Sequence, residues 1–361
     1  VDTLDLAGYV DWGGAWSTLK KKLDDGKWRA QQCDKPVVLQ DSSCGPCLIL
    51  PGGKPPMYRY HLQTLLHHVY VGISSKGEPG KTPNVYVSIL SRTLWERGVS
   101  KAVALVKQLI ESDLGGSVVA LVPSRVDLCA DFLMPGGLPL GLLRDFGVPE
   151  DIMTCDIMQG AEMETYYIGS PGASIRARVY NKSKEVVKHF KEWFKEIWKV
   201  DSLENVFRVE FQLRRQAVKA YGVNSVDELL KGLGGMWVDL STRWYCLRLH
   251  DDSNTSRRSF HPFWLLVQAC AEKFGPVVEM RRVLKPSGKA DPEFFIVRGA
   301  TQLLGFAAAS GLPDLYEACS EFVDAIRLRW TPEDFFEAYT VKSVENGVQP
   351  APEEGDDEIP F

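Results

Sequence analysis

Three segments of this chain alternate charged and apolar residues with a period of two, which confines them to a sheet with one charged face. Residues 125–131 read Arg-Val-Asp-Leu-Cys-Ala-Asp. Residues 174–182 place Arg176, Arg178, Tyr180 and Lys182 at every second position, and residues 207–214 do the same with Arg208, Glu210, Gln212 and Arg214. Successive side chains of a strand point to opposite faces, so each segment sorts its charges onto one side. In a mixed domain the other side is buried under helices. Further alternating or apolar runs predict strands at 3–11, 58–73, 84–90, 118–132, 152–159, 162–169 and 205–214.

Helical patterns interrupt these runs. Ser100 caps a helix carrying Val103, Leu105, Val106, Leu109 and Ile110. Residues 184–200 repeat Val187, Phe190, Phe194, Ile197 and Trp198 among lysines and glutamates, which predicts one amphipathic helix with an aromatic stripe facing the core. Residues 225–240 and 262–274 are further helices. Beyond Gly275, a basic loop with Arg281, Arg282, Lys285 and Lys289 precedes helices at 294–309 and 313–329 and a short one from Thr331. The expected fold class is α+β. Residues 1–275 form a domain built on a largely antiparallel sheet with a charged active face and helices on the other side. Residues 276–340 form a small helical unit, and 341–361 an acidic tail that cannot bury enough surface to order itself. No internal repeat is visible.

The net charge of −5 argues against a nucleic-acid partner until its distribution is considered. Residues 344–361 hold six acids and no Lys or Arg, and without those acids the body carries +1. Residues 174–219 hold twelve Lys or Arg against six acids, the local basic surface that phosphate binding needs. Eight scattered cysteines suit reduced thiols rather than a disulfide framework. Cys44-Gly-Pro-Cys47 has the spacing of a redox motif but no strand–helix context, and no second ligand pair suggests zinc. The chain has no apolar run of membrane-spanning length and no secretory signal at Val1–Leu6, so a cytoplasmic protein that meets no membrane is expected.

Two readings of the charged face stand side by side. One is a solvated surface with cross-strand ion pairs, each contributing little. The other is a phosphodiester-cleaving site. Carboxylates such as Asp127 and Glu210 can hold Mg²⁺ or Mn²⁺ through oxygen ligands. Tyr180, whose phenol ordinarily titrates near pH 10, needs a base or adjacent cations to act as a nucleophile. Lys182, Arg176 and Arg178 supply such cations.

The segments SRVDLCADF (124–132), TYYIGSPGASIRARVYNKSKE (165–185) and VFRVEFQLRR (206–215) occur in the order and spacing of one family. Together they resemble the replication initiation factor (Rep_trans) family, which includes rolling-circle plasmid initiators and related MobT-type relaxases. PNVYVSILSRTLWERG (83–98) is similar to its N-terminal half, and a weaker likeness extends the match over about residues 55–270. The resemblance implies that the tyrosine of the R-x-Y-[ND]-K motif, here Tyr180, is the nucleophile, ahead of Tyr166 and Tyr167. Arg178 and Lys182 would assist it. Asp127 and Glu210 would be metal ligands, with Asp131 a third. Arg125, Arg176, Arg208 and Arg214 would grip DNA, as would Arg281 and Arg282 of the basic loop, which has no counterpart in the family. Glu185 would orient Lys182, act as a base, or cap the next helix.

The implied activity is nicking and rejoining of origin DNA at a single-stranded or hairpin site. A 5′-phosphotyrosyl link would form and a 3′-OH primer would be left. A conjugative relaxase with the same chemistry and a non-enzymatic origin-binding protein are the alternatives, and the family suggests a homodimer. The His-hydrophobic-His metal motif of other rolling-circle nickases is absent, since His67 and His68 are adjacent and would point to opposite faces of a strand. The terminal Gly-Asp-Asp-Glu-Ile-Pro-Phe resembles the acidic tip of bacterial single-stranded-DNA-binding proteins. That likeness implies that Ile359, Pro360 and Phe361 bind host helicase or primosome proteins.

Overall fold

The period-two segments pair with one another edge to edge. The computed structural model describes residues 1–139, 141–149, 152–159, 162–283 and 292–345, so Lys285, Lys289, Ile359, Pro360 and Phe361 lie outside the described residues. The chain divides into two units, Val1–Val283 and Leu284–Phe361. The first holds strands β1 (Thr3–Asp11), β2 (Val37–Gln40), β3 (Cys47–Ile49), β4 (Tyr60–Thr64), β5 (Val69–Ile73), β6 (Val85–Ile89) and β7 (Ser117–Leu133). Then follow β8 (Gly147–Val148), β9 (Thr154–Gln159), β10 (Glu162–Ile168), β11 (Ile175–Asn181), β12 (Val206–Arg214) and β13 (Cys246–Leu247).

Eleven of these strands form one sheet in the order β2-β3-β4-β5-β6-β1-β7-β12-β11-β10-β9, while β8 and β13 pair separately. Every ladder is antiparallel. Outward from the central β1–β7 pair, five strands consecutive in the chain lie on one side, β6 to β2, and four on the other, β12 to β9.

The apolar face is covered by helices. The helix α1 (Trp16–Cys33) was not foreseen, because its inward stripe is narrow and ends in small residues: Leu19, Leu23, Gly26 and Ala30. The small size has a purpose, since a Cβ on Gly26 would sit 2.9 Å from the Leu39 side chain of β2 and 3.0 Å from that of Ile49 on β3. Next come α2 (Ser91–Arg97), α3 (Val99–Gln108), α4 (Leu142–Asp145), α5 (Lys182–Lys188), α6 (Phe194–Trp198), α7 (Arg215–Ala220), α8 (Val226–Asp239) and α9 (Pro262–Ala269). Ser225 and Glu228 cap α8 reciprocally. Trp237 of α8 then meets Phe211 of β12 edge to face at 5.2 Å. The second unit contains α10 (Pro292–Ser310), α11 (Leu315–Arg327) and α12 (Pro332–Glu345). Among the described residues no single helix is long and apolar enough to cross a membrane.

Two expectations about the active segment are corrected. The strand through Tyr180 ends at Asn181, whose side chain accepts the Lys184 N–H and starts α5, so Lys182 occupies a helix rather than the strand face. The single helix expected over 184–200 is two short helices, α5 and α6, divided where Phe190 adopts a left-handed φ of 53°. Phe190 is left exposed, and Phe194 is buried. Moreover, α6 crosses to the charged side of the sheet, where the Phe194 ring lies 5.3 Å from the Arg208 guanidinium and 5.0 Å from the Lys182 ammonium.

His67 and His68 lie in the turn between β4 and β5, not within a strand. Cys44 and Cys47 are free and buried, and burial pushes the Cys47 thiol up to about 12, an inert rather than a reactive state.

Candidate active site

Register decides which charges meet. On β11 and β12, Arg178 lies opposite Glu210, Tyr180 opposite Arg208 and Arg176 opposite Gln212. On β12 and β7, Arg208 lies opposite Asp131, Glu210 opposite Cys129 and Gln212 opposite Asp127. Glu210 is therefore one rung diagonal from Asp127, a separation of about 7–8 Å between Cα atoms.

Glu210 is wholly buried, and its two oxygens have different partners. Oε1 accepts from Arg178 Nε at 3.0 Å and from Nη2 at 2.5 Å. Oε2 accepts the Tyr180 hydroxyl at 3.2 Å. Lys182 Nζ stands 3.5 Å from the same hydroxyl. Burial and the Glu210 charge both raise the Tyr180 pKa, so the resting phenol keeps its proton. Glu210 thus accepts the phenol's hydrogen bond, a pairing that composition and spacing do not reveal.

Lys182 is buried in the first turn of α5 and ion-paired with Glu185 at 2.5 Å. Burial lowers its pKa, and the nearby Arg208 pushes the same way. Glu185 also receives Lys191 at 2.6 Å. Burial resists ionisation of Glu185, but Lys182 and Lys191 prevail and hold it below the usual carboxylate range. It orients Lys182, while the cap of α5 belongs to Asn181.

A cavity of about 310 Å³ opens beside Tyr180. Tyr167 and Arg178 line it from the sheet, and Lys188, His189 and Lys191 from the segment that begins with α5. Asp2 also reaches it, from a stretch that no motif covers. Asp2 pairs with Arg208 and accepts the Trp95 indole N–H at 3.3 Å. Burial opposes its ionisation, yet Arg208 and Lys182 outweigh that and hold its carboxyl well below the usual range.

Three expected site residues have different work. Arg208 is fully buried and grips Asp131 through Nε at 2.6 Å and Nη2 at 2.7 Å, as well as Asp2, so it is a structural cation and not a DNA contact. Asp131, held by Arg208 and by the Trp198 indole at 2.8 Å, does not join Asp127 and Glu210 as a third metal ligand. Arg282 bonds the buried Asp239 at 3.0 Å rather than standing free in a basic loop.

Among the other arginines, Arg125 chelates Asp127 through two bonds of 2.9 and 2.5 Å, and Arg281 pairs with the exposed Glu279 at 2.9 Å. Arg214 is exposed and donates to the Pro171 and Gly172 carbonyls. Arg176 stacks on Tyr167 at 3.9 Å.

Asp127 and Glu210 suit a divalent cation in one respect and leave it incomplete in another. Burial raises the Asp127 pKa; the Arg125 hydrogen bond opposes this, the Glu210 charge adds to it, and the carboxyl ends at about 6. Each of the two buried carboxylates already has its own cation, Arg125 on Asp127 and Arg178 on Glu210. Among the described residues, no group of three His, Cys, Asp or Glu side chains is placed to hold a metal. A two-carboxylate site completed by water and phosphate oxygens is the common pattern for Mg²⁺.

A carboxyl with a raised folded pKa contributes stability that is full below its unfolded value near 3.8 and lost as pH rises through about 6. Wild type is therefore expected to lose on the order of 2–3 kcal/mol relative to Asp127→Asn between pH 4 and pH 7. Urea midpoints of both chains across that range check this. A difference that stays flat with pH would show that Asp127 does not share a strained carboxylate pair.

Comparison with known proteins adds little. No protein-family model matches the chain, and no curated protein sequence matches it. The solved structure of a rolling circle replication initiator protein from Geobacillus stearothermophilus is 16% identical with a TM-score of 0.42, the match covering 79% of this chain and 98% of that one. A likeness of that degree does not establish a shared fold.

Proposed function

We propose that this chain initiates DNA replication by nicking and rejoining a DNA strand through Tyr180. One observation carries the reading: the Tyr180 hydroxyl is held between the Glu210 carboxylate and the Lys182 ammonium, at the edge of a cavity lined by charges of both signs. A solvated face of ion pairs needs neither a buried carboxylate on a phenol nor a cavity beside it.

In the nicking step the Tyr180 oxygen attacks phosphorus while its proton passes to Glu210 Oε2. The bond from phosphorus to the 3′-oxygen breaks, and that oxygen leaves with the electron pair and takes a proton from solvent water to become the 3′-OH, while Glu210 returns the phenol's proton to solvent. Lys182 stabilises negative charge on the phenolic oxygen. Arg178, already at the cavity wall, reaches the non-bridging oxygens. A Mg²⁺ or Mn²⁺ held by Asp127 and Glu210 would neutralise the phosphate and polarise its oxygens. Attack by the 3′-OH on the phosphotyrosyl link reverses the steps and reseals the strand. The site favours a single strand or an extruded hairpin, whose backbone can reach a recessed phenol.

The experiment mixes the chain, Mg²⁺ or Mn²⁺, and supercoiled DNA carrying its own element's origin. A covalent protein–DNA adduct is expected, with the phosphate mapped by mass spectrometry to Tyr180. Binding without any adduct would instead favour a non-enzymatic origin-binding protein. An origin of transfer as the nicked site would identify a conjugative relaxase. The tail reading rests on Ile359, Pro360 and Phe361 as a sequence alone. Deleting those residues is expected to abolish capture of a host helicase by the full chain while leaving nicking intact; unchanged capture would dismiss it.

A further inference from the structure

We infer that Tyr167 and Arg176 form a base-stacking subsite for the nucleotide beside the phosphate that Tyr180 attacks. The inference deepens the proposed function and rests on Tyr180 acting on a DNA strand, but its observations are separate.

Tyr166 and Tyr167 are adjacent on β10 and point to opposite sides of the sheet. Tyr166 is buried in the core, with 3% of its surface exposed. Tyr167 faces the charged side and lines the cavity with Tyr180. It lies opposite Arg178, two residues before Tyr180 along β11, while Thr165 lies opposite Tyr180. Strand rise and spacing put the Tyr167 and Tyr180 Cα atoms about 8 Å apart on one face. The ring is thus close enough to meet a base whose phosphate sits at Tyr180.

The Arg176 guanidinium stacks on Tyr167 with its carbon 3.9 Å from the ring centroid, and its buried Nε has no hydrogen-bond partner. Arg125, Arg178 and Arg208 on the same face all bind carboxylates; Arg176 pairs with a phenol ring instead. A flat cation on an aromatic ring is a surface that bases of any identity can stack on.

Lys188, His189 and Lys191 stand on the other side of the cavity, where flanking phosphates would run. Of the three carboxylates that line the cavity, Asp2, Glu164 and Glu185, two are paired with cations: Asp2 with Arg208, and Glu185 with Lys182 and Lys191. The volume of about 310 Å³ falls at the lower end of ordinary ligand clefts, roughly 300–1,000 Å³. The occupant is therefore a nucleotide of a single strand, since a paired base cannot turn its face to the ring.

Fluorescence anisotropy of the full chain with two labelled probes tests this: the octamer (dT)8 and an abasic deoxyribose-phosphate octamer of the same charge. Wild type is expected to prefer (dT)8. Tyr167→Ala is expected to weaken (dT)8 binding about 10- to 100-fold, the range that loss of one stacked base produces, and to leave the abasic probe unchanged. Tyr167→Phe keeps the ring and is expected to bind both as wild type does. If Tyr167→Ala holds (dT)8 as tightly as wild type, or loses both probes equally, the subsite does not exist. Binding needs no cleavage, so the two ideas fail separately. A Tyr180→Phe chain that still prefers (dT)8 supports stacking even where no adduct forms.

Discussion

Tyr180→Phe is expected to fold like the wild type and to form no covalent adduct with origin DNA. Removing a nucleophile removes the reaction rather than slowing it, so a loss of at least ~10³-fold is expected, limited by detection. The packing cost is small because the ring, which is most of the side chain, remains. What disappears is the 3.2 Å hydrogen bond to the buried Glu210 Oε2 and the 3.5 Å contact from Lys182, a change of about 1.5–3 kcal/mol because a charged acceptor loses its donor. Glu210 keeps both bonds from Arg178. Adduct formation on denaturing gels and thermal melting, measured on the same preparation, separate chemistry from folding. Continued capture of DNA by the Phe variant would move the nucleophile to Tyr167, the other phenol lining the cavity. A variant that had merely lost a surface contact would change salt dependence instead.

Arg208→Met is expected to destabilise the first unit by about 3–5 kcal/mol at pH 7, because it leaves the buried carboxylates Asp2 and Asp131 without their cation. Methionine fills much of the same volume, so the loss reports charge more than a cavity. The pH dependence gives the sign. Asp2 has a folded pKa depressed below its unfolded value near 3.8, so its contribution is present above that value and lost as pH falls below it.

Without Arg208, Asp2 becomes easier to protonate, and the gap between variant and wild type is expected to narrow in acid. Urea midpoints at pH 7 and pH 4 measure this. A cost under about 1 kcal/mol would return Arg208 to the solvated, DNA-facing role that its place in the strand pattern suggests.

Much of the sheet was legible because strand periodicity is local. The segment 3–11 and the alternation around Arg125, Arg178 and Glu210 each point to strands that the structure contains. Less local features were hidden. In α1 the inward stripe contains Gly26 and Ala30, which are small because the helix approaches β2 and β3 closely, and small residues give a weak apolar signal.

The break between α5 and α6 has no proline or glycine to announce it. Residues 189–193 turn without one, and Phe194 is then buried over Arg208 and Lys182. An aromatic stripe that would suit an apolar core instead covers cations, an environment visible only once β12 and α5 lie together. Asp2 could not have been picked out at all. It meets Arg208 across 206 positions of sequence, and no spacing rule reaches that far.

By itself, then, the sequence determined which side chains share a face, because a strand turns each residue by half a revolution whatever its neighbours are. It also singled out Tyr180 among cations. Only the tertiary structure decided which of those charges remain available. Strand order and register set Glu210 against Arg178 and Tyr180, and gave Asp131 to Arg208. The crossing of α6 then sealed Arg208 and Lys182 beneath Phe194 and left the cavity beside Tyr180 open. Register and coverage depend on pairings between distant segments, and burial sets the strength of every charge interaction among them. The function of each cation was therefore decided by the fold.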